Sequence, residues 1–62
     1  MKMLKITGCR DPLMWYADMV GELVPFLGVW PEAYASREPA GHVNRVEFSD
    51  AEPVMTNDET KE

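Results

Sequence analysis

The single cysteine, Cys9, is the feature that most constrains what this chain can fold into. A domain of 62 residues buries only about 60% of the surface of its unfolded chain, and small domains often depend on disulfides or a metal ion. One cysteine rules out an intramolecular disulfide. Cys9 and His42 are the only nitrogen or sulfur ligands, whereas a closed zinc site needs about four. We therefore expect one small core of large side chains, or a core completed by a partner subunit, with no metal and no cofactor.

Short apolar segments separated by glycine and proline indicate strands. Leu4 and Ile6 alternate with Lys5 and Thr7, which is the period of two that is typical of a strand with one buried face. The five expected strands cover residues 3–8, 21–30, 33–37, 42–48 and 52–55. Pro25 cannot donate a hydrogen bond to a sheet, so we expect this part of the second strand at an edge or at a bulge.

The segments between the strands decide the fold class. Residues 13–20 span only about two helical turns, which is short for an independent helix, so we expect an irregular loop or a single helical turn with Trp15 packed on the core. A short 3₁₀ turn is expected at residues 49–51. The sequence thus predicts an all-β fold, a small SH3-like five-stranded antiparallel barrel over residues 1–55, followed by a disordered acidic tail over residues 56–62. The competing architecture is a β-hairpin packed on a helix at 13–20, whereas an OB-fold usually needs a longer chain.

The net charge of −5 lies at the C-terminal end of the chain. Residues 1–46 hold five acids and five bases, while the last sixteen residues hold six acids against Lys61 alone. An acidic surface repels nucleic acid and attracts basic surfaces, including the grooves in which other proteins hold nucleic acid. Carboxylates at positions i and i+2 of a strand, as Asp50 and Glu52 would be, lie about 6–7 Å apart, which is similar to the spacing of phosphates. Two interpretations stay open: a solvated face that only confers solubility, and a mimic of phosphates.

Aromatic and thioether side chains are concentrated in the loop that follows Pro12. The side chains concerned are Met14, Trp15, Tyr16, Met19 and, later in the chain, Trp30. Such side chains either pack in a core or form a protein-binding patch, because exposed Trp, Tyr and Met are favoured anchors at interfaces. The sequence leaves both interpretations open.

No arrangement of residues predicts catalysis. His42 is the only candidate general acid–base group near neutral pH, and it follows a turn glycine, which is typical of a surface position. Neither Ser36 nor Ser49 has the surrounding pattern of a nucleophile elbow. Cys9 would be reactive if exposed beside Arg10, but a small buried side chain at a strand end is the preferred interpretation. We therefore predict that the protein is not an enzyme.

Four short motifs form a series along the chain. They are Asp11-Pro-Leu-Met-Trp-Tyr-Ala-Asp18 followed by Gly21, Arg37-Glu-Pro-Ala-Gly41, His42-Val-Asn44, and Asp50-Ala-Glu52. This series, over roughly residues 4–54, resembles small SH3-like proteins of bacteriophages and mobile elements. The family has an aromatic residue in place of His42 and a lysine-containing pair in place of Met19 and Val20. The resemblance implies the SH3-like fold. Because some acidic phage proteins of this size are anti-CRISPR proteins or other host inhibitors that mimic DNA, it also suggests that class of activity.

The primary hypothesis is a non-enzymatic phage-type inhibitor that acts by DNA mimicry. It would bind the basic nucleic-acid channel of a host complex, such as a CRISPR effector, and block binding of target DNA without itself contacting nucleic acid. The acidic residues predicted to contact this partner are Asp18, Glu22, Glu32, Glu38, Glu47, Asp50 and Glu52. No apolar stretch approaches the ~20 residues of a membrane span, so we expect no membrane insertion and a location in the cytoplasm of the bacterial host. We expect the protein to be a monomer or a homodimer.

The alternative hypothesis is a small SH3-like adaptor. Its binding surface would be a patch of Trp15, Tyr16 and Trp30 with the neighbouring methionines, and its partner would be apolar or rich in proline. A third hypothesis is an obligate homo-oligomer that hides these aromatic side chains.

Overall fold

The structure, a computed structural model, describes residues 1–56 and consists of short strands with almost no helix. The strands are β1 Lys2–Ile6, β2 Leu23–Pro25, β3 Gly28–Val29, β4 Ala33–Arg37, β5 Val43–Glu47 and β6 Ala51–Met55. A 3₁₀ turn, Phe48–Asp50, lies between β5 and β6, one residue earlier than predicted. The all-β class is confirmed, and the predicted second strand is divided into β2 and β3.

The six strands form two antiparallel sheets of three strands each, and within residues 1–56 they do not close into one barrel. The first sheet has the order β2-β1-β6 and the second has the order β3-β4-β5. In the first sheet Leu4 lies between Val24 and Pro53. In the second sheet Tyr34 lies opposite Val46.

The core consists of the inward-facing side chains of both sheets. Leu4, Ile6, Val24 and Val46 are buried and form one cluster with Tyr16 and Ala51. The predicted inward orientation of Leu4 and Ile6 is confirmed. Burial of each large aliphatic side chain contributes about 1.5–3 kcal/mol, which is the main stabilising term available to a chain with one cysteine.

Residues 13–20 form a series of turns, as expected, and not the helix of the competing architecture. Backbone hydrogen bonds of the i to i+3 type join Met14 to Asp11 at 3.0 Å, Ala17 to Met14 at 3.1 Å, and Met19 to Tyr16 at 2.9 Å. The loop over residues 7–22 returns to β1, because the Ile6 N–H donates to the Glu22 carbonyl at 2.9 Å and the Gly21 N–H donates to the Ile6 carbonyl at 2.7 Å. This loop carries Trp15 and Tyr16 to the side of β5.

The chain bends between β2 and β3 at a β-bulge. The Leu27 N–H donates to the Ala35 carbonyl at 2.9 Å, while Gly28 is the paired residue of Ala35. Two residues therefore oppose one, which increases strand twist and bending. The buried Ser36 hydroxyl donates to the Pro25 carbonyl at 2.7 Å, so this carbonyl is satisfied at the bend. Pro25 itself belongs to β2, an outer strand of the first sheet, so the prediction that it lies at an edge or a bulge is confirmed by the edge position.

The outer edge of β6 is interrupted by Pro53. The Thr56 N–H donates to the Met1 carbonyl at 2.8 Å, and the Thr7 N–H donates to the Asp50 carbonyl at 2.8 Å. Because hydrogen-bonded positions alternate along an antiparallel pair, Pro53 faces away from β1, and its missing N–H falls on the free edge. Thr56, the first residue of the predicted tail, is tied to Met1, and the remainder of that tail lies outside the described residues.

Candidate functional site

Tyr16 and Asp50, two of the predicted partner-binding residues, are buried together. The Tyr16 hydroxyl donates to a carboxylate oxygen of Asp50 at 2.6 Å, and the two residues are 0% and 3% exposed. The same hydroxyl accepts a hydrogen bond from the Glu47 N–H at 3.2 Å. A buried polar side chain is tolerated when its hydrogen bonds are made, as they are here. The placement of Tyr16 and Asp50 on a binding surface is therefore corrected: both hold the fold together.

The environment keeps the Tyr16 hydroxyl protonated. Burial raises its pKa well above the usual range, and the hydrogen bond to Asp50 and the negative charge of that carboxylate raise it further. The hydrogen bond from the Glu47 N–H opposes this shift but does not outweigh it. Tyr16 thus donates to Asp50 across the ordinary pH range.

Trp15 covers the outer edge of β5. Its indole N–H donates to the Arg45 carbonyl at 2.8 Å, and its ring meets that of Tyr16 edge to face, with centroids 5.4 Å apart. The Arg45 N–H is satisfied by the Asn44 side chain at 2.7 Å. Exposed strand edges promote aggregation unless they are covered, and the 7–22 loop covers this one. Trp15 is half-buried and has a structural role.

Trp30 differs from Trp15 in the exposure and the hydrogen bonding of its indole. It is 43% exposed, and within residues 1–56 its indole N–H has no hydrogen-bond partner. Its backbone N–H donates to the Ala33 carbonyl at 2.8 Å across the two-residue connection Pro31-Glu32. Since proline fixes one backbone dihedral, this short connection holds Trp30 and Glu32 in a defined relation. Of the three predicted aromatic anchors, Trp30 is the one left free to contact a partner.

A surface groove of about 300 Å³ lies beside Trp30. Its lining consists of Trp30, Pro31, Glu32, Ala33 and Arg45. Ala33, which is only 2% exposed, contributes a small apolar side chain to this lining. Small-molecule and side-chain sites are mostly apolar clefts with a few polar groups, and this groove has that composition.

The two charged side chains of the groove, Arg45 and Glu32, differ in whether they form an ion pair. Arg45 Nε lies 3.1 Å from a carboxylate oxygen of Glu47, the neighbour on the same face of β5. Glu32 is exposed and has no ion-pair partner among the described residues. The guanidinium is therefore already compensated, and the unpaired charge of the groove is the Glu32 carboxylate.

The remaining predicted acidic residues do not gather into one row. Glu52 is exposed on β6 directly opposite Lys5, on the outer face of the first sheet. Glu47 lies opposite Ala33 on the outer face of the second sheet. Glu38 accepts a hydrogen bond from the Asn44 amide at 2.6 Å in the hairpin turn. Asp18 and Glu22 are exposed on the 7–22 loop.

Three side chains considered for catalysis occupy ordinary structural positions. Ser36 is fully buried and its hydroxyl is used by the Pro25 carbonyl. Cys9 packs against the core, and its thiol donates to the Asp11 carbonyl at 3.1 Å. Desolvation raises the pKa of this thiol, and the Asp50 and Asp11 carboxylates add to the rise against the opposing effect of that hydrogen bond. His42 is exposed, and its ring makes no hydrogen bond within residues 1–56. No group of three potential metal-binding side chains occurs in the described part of the chain.

Sequence reasoning missed Arg45 and Ala33 as parts of the candidate site. The dipeptide Trp30-Pro31 was a usable signal for the site, because it places a large aromatic side chain directly before a turn. Arg45 reaches the groove only through the pairing of β5 with β4, which places it opposite Ala35. That register depends on contacts distant in sequence.

No protein-family model matches this chain, and comparison with curated proteins and with solved structures found no significant match. Among residues 1–56 there is no helix with the length and apolar character required to cross a bilayer.

Proposed function

We propose that this protein is a non-enzymatic binding module of SH3-like architecture that holds a partner protein at the groove beside Trp30. The observation that supports this most directly is the exposed indole of Trp30 in the groove lining, whose N–H makes no hydrogen bond among residues 1–56. Tryptophan is among the residues most enriched at the energetic centres of protein interfaces. This is the adaptor hypothesis with its patch reduced from three aromatic side chains to one.

The strand arrangement supports the SH3-like part of the proposal. The segment from Leu23 to Val29 bends at the bulge and contributes β2 to the first sheet and β3 to the second, so the two sheets are joined by one bent segment. A single 3₁₀ turn connects β5 to β6 and returns the chain to the first sheet beside β1. Counting Leu23–Val29 as one strand gives the five strands that an SH3-like barrel requires.

The exposed apolar side chains support a protein partner. Among residues 1–56, large apolar side chains at least 43% exposed occur at ten positions, among them Trp30, Val29, Leu27 and Val43. Singly exposed apolar residues are normal, but an exposed large side chain that also lines a groove, as Trp30 does, is typical of a binding surface.

The second candidate function is the host inhibitor that mimics DNA, as the resemblance to phage proteins suggests. The observation that favours it is that Asp18, Glu22 and Glu52 are exposed and form no ion pair within residues 1–56. The opposite placement of Glu47 and Glu52, on different sheets, weakens it. Binding through electrostatic attraction would weaken steeply as the salt concentration rises, whereas binding through an aromatic contact would be less sensitive to salt.

A comparison of three variants tests the proposed site. The full chain would be immobilised and exposed to a bacterial lysate as wild type, as Trp30→Ala, and as Phe48→Ala, which removes an aromatic side chain of equal 43% exposure elsewhere. We expect a partner, identified by mass spectrometry, that wild type and Phe48→Ala retain and Trp30→Ala loses. Retention of that partner by Trp30→Ala would reject the site.

The mimic is tested separately with the triple variant Asp18→Lys, Glu22→Lys and Glu52→Lys. Asp50 is unsuitable for charge reversal because its carboxylate is buried against Tyr16. Loss of the partner in the triple variant, together with its displacement by duplex DNA, would favour mimicry over docking at Trp30. A self-complex, detected by sedimentation, would show a homo-oligomer instead.

A further inference from the structure

We propose that the groove beside Trp30 receives a lysine or arginine side chain from an extended segment of the partner protein. This inference rests on the proposed function and adds the chemistry of the occupant. Two observations support it: the pairing of charges at the groove, and the free edge of β3 beside the groove.

The apolar part of the groove suits the aliphatic portion of such a side chain. Pro31 and Ala33 contribute apolar side chains to the lining, together with the exposed Trp30 ring. Long basic side chains bury their methylene groups along apolar surface and keep the charged end in a polar environment. A cation near the face of an indole gains further stabilisation, most strongly for tryptophan among the aromatic residues.

The charges select a cation over an anion. Arg45 lies at the groove but is compensated by Glu47 at 3.1 Å, so it offers little attraction to an incoming carboxylate or phosphate. Glu32 is uncompensated within the described residues, and together these three side chains leave one negative charge. An opposite charge would reduce that potential, whereas a second anion would meet Glu32 and Glu47 without a free base to bind.

The edge of β3 favours an extended segment over a free small molecule. β3 is the outer strand of its sheet, in the order β3-β4-β5. The Trp30 N–H points to β4, where it donates to the Ala33 carbonyl, and Gly28 pairs with Ala35 on the same side. By the alternation of antiparallel strands, the backbone groups of Val29 face outward. An extended segment can add main-chain hydrogen bonds there while one of its side chains enters the groove.

The test uses two blocked tripeptides, acetyl-Val-Arg-Val-amide and its citrulline counterpart, titrated into the isotope-labelled full chain and followed by NMR. Citrulline keeps the shape of arginine and removes the charge. We expect the arginine peptide to shift the Trp30 indole signal and the amide signals of Glu32 and Ala33, with clearly weaker binding of the citrulline peptide. Equal binding of the two peptides, or no shift of these signals, would overturn the inference.

Two variants with the same change of charge complete the test. Glu32→Gln should weaken binding of the arginine peptide about two- to fivefold, as expected for an exposed ion pair. Glu52→Gln removes one exposed carboxylate from the other sheet and should leave binding unchanged. Equal weakening by both variants would show a general charge effect and would also overturn the inference.

The failures of the two proposals are distinguishable. If the partner captured from lysate depends on Trp30 but neither peptide binds with a preference for charge, the groove is a protein-binding site with a different occupant. If capture does not depend on Trp30, the proposed function itself fails, whatever the peptides do.

Discussion

The Tyr16 hydroxyl lies 2.6 Å from the Asp50 carboxylate and 3.2 Å from the Glu47 backbone nitrogen, and thereby joins the 7–22 loop to β5 and the 3₁₀ turn. The backbone carbonyl of Asp50 also accepts hydrogen bonds from the Thr7 and Gly8 N–H groups, at 2.8 and 3.2 Å. One buried contact thus fixes the end of β1, the long loop and the connection between the two sheets.

Replacement of this hydroxyl should lower stability measurably. Tyr16→Phe leaves the buried Asp50 carboxylate without its side-chain donor, which is expected to cost about 1–3 kcal/mol in the free energy of unfolding. Urea denaturation at neutral pH measures this cost. Tyr34→Phe is the matched control, because the Tyr34 hydroxyl has no hydrogen bond among residues 1–56 while its ring contacts with Phe26 and Phe48 would be kept. Equal destabilisation by the two variants would contradict the role given to Tyr16.

Stability should decline at alkaline pH because of the same residue. The pKa of Tyr16 is raised in the folded state, so above the ordinary tyrosine pKa of about 10 the unfolded chain releases this proton while the folded chain keeps it. The stabilisation is complete below that pH and decreases as pH rises, by at most about 1.4 kcal/mol per pH unit for this group.

Urea denaturation across pH 7 to 11, with tyrosinate absorbance as a second readout, measures the decline. The Cys9 thiol also has a raised pKa and contributes in the same direction, so the series is best done in a Cys9→Ala background. Tyr16→Phe should flatten the profile. An unchanged slope in that variant would show that other groups cause the decline.

The two tryptophans should respond differently to the same substitution. Trp15→Phe removes the hydrogen bond to the Arg45 carbonyl and should cost about 0.5–1.5 kcal/mol, with faster hydrogen exchange along β5. Trp30→Phe removes an N–H that makes no hydrogen bond in the described part of the chain, and it should change stability by less than about 0.5 kcal/mol. Thermal and urea unfolding provide the comparison, and a reversed order of the two effects would refute the assignment of roles.

Pro53 should limit association through the edge of β6. Pro53→Thr restores an N–H on the free edge and is expected to increase self-association, which sedimentation velocity would detect. Val54→Thr serves as the control, because by alternation the Val54 N–H faces β1. If the two variants sediment alike at all concentrations, the edge is protected by something other than Pro53.

Ser36 should be required at the bend between the sheets. Ser36→Ala leaves the Pro25 carbonyl without its 2.7 Å donor and should cost about 1–3 kcal/mol. Ser49→Ala, at an exposed position in the 3₁₀ turn, should be close to neutral. Chemical denaturation of both variants tests the contrast. An unchanged free energy of unfolding in Ser36→Ala would show that this hydroxyl does not stabilise the bend.

The strands could be predicted because their signal is local. The alternation around Leu4 and Ile6 and the breaks at Pro25 and Gly41 depend on neighbouring residues, and the structure agrees with them. The burial of Tyr16 and Asp50 could not be predicted in this way. Each is polar enough for the surface when considered alone, and only their mutual hydrogen bond across 34 positions makes burial favourable.

The spread of the acidic residues has a similar cause. The spacing of Asp50 and Glu52 suggested adjacent carboxylates on one strand, but Asp50 belongs to the 3₁₀ turn and Glu52 to the strand that follows it. The turn also carries the chain from the second sheet to the first, so Glu47 and Glu52 reach different outer faces. Whether a short turn starts one residue earlier or later is not encoded in local periodicity.

The partners of Tyr16 are synthesised late, with only β6 and Thr56 following them in the described chain. A ribosome that has released the first forty residues has produced β1, the long loop and the bent strand, but neither the Glu47 amide nor the Asp50 carboxylate. Until both emerge, Trp15 and Tyr16 have no edge to cover and stay accessible to solvent or to other chains. In the nascent protein, the 7–22 loop therefore cannot take its final position until β5 and the 3₁₀ turn have been synthesised.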